Sequence, residues 1–173
     1  MSNKTFTFNS KTINQDEFID LLESIYEHSP WVPLRLFSGK INKTIDKEYL
    51  HEKMKDVVNN ASKIEKLNLI RSHPELGNKL QKTNELTKFS KDEQKSAGLD
   101  QCNEEEFKIL SYLNQQYRAL FEFPFIIAVK GLSKNKIISE MKKRVDSSKE
   151  EEFETAMKEV HKIAKLRIYD LNY

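Results

Sequence analysis

Apolar residues recur at helical intervals along most of this chain. Phe18, Leu21, Leu22 and Ile25 repeat on one face behind Asn14, a candidate N-cap, with Asp16 and Glu17 placed at the positive end of the helix dipole. Pro30 and Pro33 are expected to end that run. A second periodic stretch begins near Asp46 and takes in Tyr49, Leu50, Met54, Val57 and Val58. A third runs from Ala61 through Ile64, Leu67 and Ile70. It stops at His73, because the residue before a proline is pushed out of helical geometry. Ser90-x-x-Glu93 fits a capping box and predicts a helix from Lys91 to Gly98. Asn103-x-x-Glu106 predicts another, carrying Phe107, Leu110, Leu113, Tyr117 and Leu120. Ser133 is expected to cap a helix over 134–145. Ser148-x-x-Glu151 opens the last, with Phe153, Met157, Val160, Ile163, Ala164 and Leu166 on one side.

Two stretches break this pattern. Residues 1–13 read as an irregular arm, with Phe6 and Phe8 available to pin it to the core. Phe123 to Val129 is a short apolar run that contains Pro124 and is bounded by Gly131, so it reads as a buried extended segment or a strand. There is no internal repeat and no low-complexity tract. The pattern predicts an all-α fold: a single compact domain over residues 1–173, of about eight helices, with its site at helix ends and the extended connector.

Composition narrows the function. The chain has 173 residues, enough for one well-buried core. Its 29 Lys and Arg nearly balance 27 Asp and Glu, so it lacks the basic face of a nucleic-acid binder. The only cysteine, Cys102, excludes an intrachain disulfide and fits a reducing compartment. Glu104, Glu105 and Glu106 follow it, and their charge disfavours a reactive thiolate. The first residues lack a signal-peptide core and no run reaches membrane-span length, so a cytoplasmic protein without a membrane partner is expected. His28, His51 and His161 are not at ligand spacing with each other or with His73, and no metal is expected. A Gly-rich phosphate loop and a Gly-x-Ser-x-Gly nucleophile turn are both missing from the sequence.

The densest chemistry lies in Arg71-Ser72-His73-Pro74-Glu75-Leu76-Gly77 and in Ser90-Lys91-Asp92-Glu93-Gln94. His73 sits on a backbone stiffened by Pro74, and an imidazole titrates in the range useful for proton transfer. On its own a His-Pro pair is more often helix punctuation. Glu93 has an obvious capping job, yet a carboxylate there is also able to orient an imidazole. Gln94 has no capping role, and its amide suits the edge of a urea or cyclic amide. In Phe125, Ile126, Ile127, Ala128 and Val129, extended backbone offers N–H and C=O groups to another segment, to water or to a planar heterocycle. Arg167, near the end of the last helix, either complements that helix end or binds a carboxylate with its fork.

These residues carry a resemblance. The chain resembles the 2-oxo-4-hydroxy-4-carboxy-5-ureidoimidazoline (OHCU) decarboxylases of urate degradation, over residues 14 to 171. The matching blocks are His28-Ser29-Pro30-Trp31-Val32, Ser72 to Gly77, Ser90-x-x-Glu93-Gln94-x-x-Ala97-Gly98-Leu99, and Phe123 to Ala128. The resemblance implies an all-helical homodimer that works without cofactor and converts OHCU stereoselectively to (S)-allantoin. It puts the catalytic histidine on His73 and its acidic partner on Glu93. Substrate contacts fall on Pro74, on Ser90, Lys91, Asp92, Glu93 and Gln94, on the backbone from Phe125 to Val129, and on Arg167. Arg167-Ile168 stands where the family more usually has Arg-Leu. The resemblance leaves open a coupling to the preceding 5-hydroxyisourate hydrolase. The competing readings are a helical module that binds a partner without catalysis, and a decarboxylase of a related ureido-imidazole.

Overall fold

The computed structural model describes residues 5–7, 14–37, 44–77 and 86–171. The fold is predominantly helical, and two compact units are distinguished: Met1–Leu69 with His161–Tyr173, and Ile70–Val160.

The first unit contains α1 (Gln15–Leu22), α2 (Trp31–Leu36), α3 (Lys47–Asn59), most of α4 (Lys63–Arg71) and the end of α8 (Lys149–Asp170). Asn14 and Glu17 close the capping box that starts α1, and Asp46 caps α3 through the Tyr49 N–H. The core gathers Phe18, Leu22, Ile25, Val32, Leu50, Met54 and Val58. Two features depart from the sequence expectation. Pro30 and Pro33 do not simply end a helix, since α2 begins between them. Pro33 lies in the first turn, where the missing N–H has no helical acceptor to lose. Part of the irregular arm is a strand, β1 (Thr5–Thr7), paired antiparallel with β2 (Thr44–Asp46). β-Branched Thr5, Thr7, Thr44 and Ile45 favour that pairing. Phe8 and the side chain of Phe6 lie outside the described residues.

The second unit is built on α6 (Glu104–Phe121), with α5 (Lys88–Ser96), a 3₁₀ turn at Leu99–Gln101, α7 (Lys134–Arg144) and the start of α8. Asn103 with Glu106, Ser133, and Ser148 with Glu151 open α6, α7 and α8 as their spacing predicts. Leu110, Leu113, Tyr117 and Phe121 form the buried face of α6. Ile137 and Met141 come from α7, and Ala156 and Val160 from α8. Phe123 to Val129 belongs to neither a helix nor a strand, and the chain runs without turn or bend from Pro124 to Val129.

Candidate active site

His73 follows the end of α4, and its N–H donates to Ile70 O at 3.2 Å, closing the last turn before Pro74 takes the chain out of the helix. The residue is 7% exposed. Three contacts then fasten the loop. Asn114 Nδ2 donates to Leu76 O at 2.9 Å, Arg118 Nε donates to Glu75 at 2.8 Å, and the Gly77 N–H donates to Gln94 Oε1 at 3.0 Å. Gly77 has φ +67°, a conformation that favours glycine, and a Cβ there would lie 2.7 Å from Leu110 Cδ1 and push that side chain aside. The histidine loop is thus held on α5 and α6 by named bonds.

α5 starts one turn earlier than the capping-box expectation. Thr87 is the N-cap and accepts from the Ser90 N–H at 3.2 Å. Ser90 and Glu93 therefore do not open the helix. Ser90 is buried in its first turn, and Glu93 lies one turn further on. That removes the structural task the sequence assigned to Glu93. Ser90, Glu93, Gln94 and Ala97 share the inner face, whereas Lys91 and Asp92 are exposed. The Gly77 contact fixes the orientation of the Gln94 amide. Its Nε2 is left buried with no hydrogen-bond partner among the described residues, as is Asn114 Oδ1. A buried donor and a buried acceptor without partners are uncommon in folded proteins.

The segment after α6 is held by side chains. Arg71 Nε donates to Glu122 O at 3.1 Å, Arg144 Nη1 to Ile126 O at 2.8 Å, and the Ala128 N–H to Glu159 at 2.7 Å. Phe125 packs edge-on against Tyr117, with ring centroids 5.3 Å apart. Phe125, Ile126, Ala128 and Val129 are buried, and Ile127 is half-buried. Asn114 and Tyr117, one turn apart on α6, thereby hold the histidine loop and this segment respectively. The sequence reading missed Asn114, Arg144, Glu152 and Glu159. The available signal was a charge in an apolar stripe: Arg144 continues Ile137 and Met141, and Glu152 precedes Ala156 and Val160.

Arg167 belongs to the other unit. It is 1% exposed, and its Nη1 donates to Glu27 Oε2 at 2.7 Å and to Ser24 O at 2.9 Å. Glu27, fully buried just before the His28 block, was also missed. Nearby, Tyr26 Oη donates to His161 Nδ1 at 2.8 Å, and His161 Nε2 donates to Asn59 Oδ1 at 3.0 Å. Burial holds the His161 pKa down at about 4 and raises that of Tyr26. Among the described residues, one group has the spacing to hold a cation: Glu48, His51 and Glu52 on α3. Glu48 already accepts from Lys165 at 2.7 Å and from Tyr169 at 2.8 Å, and Lys55 lies 3.6 Å from Glu52, so that negative charge is compensated.

Comparison with known proteins decides the family. The family model described as OHCU decarboxylase matches residues 11–169. The chain belongs to the OHCU decarboxylase family. A 2-oxo-4-hydroxy-4-carboxy-5-ureidoimidazoline decarboxylase from Haloferax volcanii is 41% identical over 156 residues, which is 90% of this chain and 89% of that protein. A uric acid degradation bifunctional protein from Bacillus sp. (strain TB-90) is 36% identical over 92% of this chain, and the match spans 30% of its own length. Among solved structures, an (S)-allantoin synthase aligns with TM-score 0.69 and 30% identity, over 90% of this chain and 50% of that one. A crystal structure of an OHCU decarboxylase in the presence of (S)-allantoin aligns with TM-score 0.67 and 20% identity, over 84% and 93%, and shares the fold. Among the described residues, no helix of this family member is long and apolar enough to cross a membrane.

Proposed function

We propose that this protein decarboxylates OHCU to (S)-allantoin in urate degradation, with His73 as general acid/base. Family membership supports the reaction. The observation that carries the site is the Gln94 amide. Gly77 fixes its oxygen, and its buried nitrogen is left to donate to a carbonyl of a ureido or cyclic-amide ligand.

Loss of CO2 breaks the bond between the ring carbon and the carboxylate carbon and leaves the electron pair on the ring. The adjacent C=N of the substrate takes up that pair, and a proton is then delivered to one face. His73 supplies and manages that proton, and Glu93 sets its orientation and charge. Ser90, Gln94 and Pro74 wall the ring, and the backbone from Phe125 to Val129 reads its N–H and C=O edges. Arg167 is assigned the substrate carboxylate by the family resemblance. Its Nη1 donates to Glu27 and Ser24, and that role for Arg167 rests on the resemblance. Lys91 and Asp92 stay in the set through the resemblance alone. A homodimer and a cytoplasmic location complete the reading, together with coupling to the hydrolase that precedes this step. The Bacillus bifunctional relative supports a coupling within urate degradation.

The test is a coupled assay from urate. Urate oxidase and 5-hydroxyisourate hydrolase generate the substrate in the cuvette, and circular dichroism follows the chiral product. The expected result is a rapid (S)-allantoin signal that requires this protein. Decay at the spontaneous rate, unaltered by the protein, would overturn the reading and bring the partner-binding module forward.

A further inference from the structure

Backbone that is neither helix nor sheet must find other partners for its polar groups when it is buried. From Pro124 to Val129 the chain forms no helix, strand, turn or bend. Two of its groups, on either side of Ile127, are gripped: Ile126 C=O by Arg144 Nη1, and Ala128 N–H by Glu159.

The grip at Ile126 is itself rigidly built. Arg144 is the last residue of α7, and its Nε donates to both oxygens of Glu152, at 2.9 and 3.2 Å, while Nη2 makes a further bond to the same carboxylate. Tyr117 Oη also donates to Glu152, which is fully buried. The guanidinium lies over the Phe125 ring, 4.4 Å from its centroid. One planar fork therefore meets a carboxylate, an aromatic face and a backbone carbonyl at once. Lysine, a single point charge, cannot reproduce that geometry.

We propose that Arg144, anchored by Glu152 and Tyr117, is a positioning residue for decarboxylation. With Glu159 it grips the segment on both sides of half-buried Ile127, and so holds the N–H and C=O of that residue in a fixed register for the substrate ring. The proposal rests on the decarboxylase reading above. Its consequence is stereochemical: the segment sets the face of the ring that receives the proton, so loosening it degrades chirality as well as rate.

The experiment compares wild type with Arg144→Lys, which keeps a cation beside Glu152 but gives up the fork. Thermal melting establishes that the variant is folded. The coupled urate assay, run at enzyme concentrations where spontaneous decay is negligible, gives kcat, KM and the enantiomeric excess of allantoin. Amide hydrogen exchange reads the protection of residues 126–129 with no need for turnover. The expected result is a folded variant with kcat/KM down about tenfold, as for loss of a hydrogen bond to a charged group. A reduced (S) excess and faster exchange at Ala128 should accompany it. Unchanged enantiomeric purity in folded Arg144→Lys, or unchanged exchange in the segment, overturns the proposal. An inactive wild-type protein overturns the decarboxylase reading instead, and the exchange arm then still decides whether Arg144 holds the segment.

Discussion

Arg144 and Arg167 sit in nearly the same chemical surroundings, in different units of the protein. Each is buried, each pairs with a fully buried glutamate, and each donates Nη1 to one backbone carbonyl. The carbonyls differ. Arg167 takes Ser24 O, in the turn that follows α1. Arg144 takes Ile126 O, in a segment with neither helical nor ladder bonds. The same device holds a turn after a helix in one place and a segment without helical or ladder bonds in the other. The role of a buried arginine is therefore read from the element that owns its carbonyl partner.

The largest effect should be common to both sites. Glu27→Ala and Glu152→Ala each strand a buried guanidinium, and each should lose about 3–5 kcal/mol of stability in urea denaturation. Two losses in that range would make the pairs alike energetically. A loss below about 1 kcal/mol at either site would show that water or another group compensates that arginine, and the comparison would fail there.

Function should separate them. Arg167→Lys keeps a charge beside Glu27 but gives up the fork assigned to the substrate carboxylate. Its KM should rise about tenfold with (S) purity intact, because the carboxylate departs before the proton arrives. Loss of enantiomeric purity in this variant would erase the distinction from Arg144.

A further effect, confined to acid pH, is a dependence of stability on His161 in the first unit. His161 is held neutral by burial, with its pKa at about 4 against an ordinary 6.5. The unfolded chain takes up that proton near pH 6.5 and the folded one only near pH 4, so the unfolded state binds more protons in between. Stability should fall as pH drops through that window. Replacing His161 with glutamine should flatten the window in melts recorded between pH 4 and 7. An unchanged slope would assign the acid sensitivity to other groups.

Much of this arrangement was legible in the sequence, because helix ends write themselves in short-range chemistry. Asn14, Asn103, Ser133 and Ser148 cap the helices they were expected to cap, and the stretch expected to begin near Asp46 starts there. The α5 start went astray because Ser90-x-x-Glu93 and Thr87-x-x-Ser90 compete for one helix end, and Thr87 wins. α2 was missed because a proline in the first turn looks the same in sequence as one that ends a helix. The histidine loop and the Gln94 amide could be named as candidates from local motifs. Their fastening could not, since Asn114 meets Leu76 across 38 positions and Arg144 meets Ile126 across 18. Glu27 and Arg167 are 140 positions apart, and no periodicity relates them.

The central claim is that His73 handles the proton. Its most direct test is the coupled urate assay on folded His73→Asn, with wild type alongside and melting curves for both. Turnover should fall about 10²–10⁴-fold, with the melting temperature little changed. Turnover within about threefold of wild type in the folded variant would contradict it and move the acid/base role to another group.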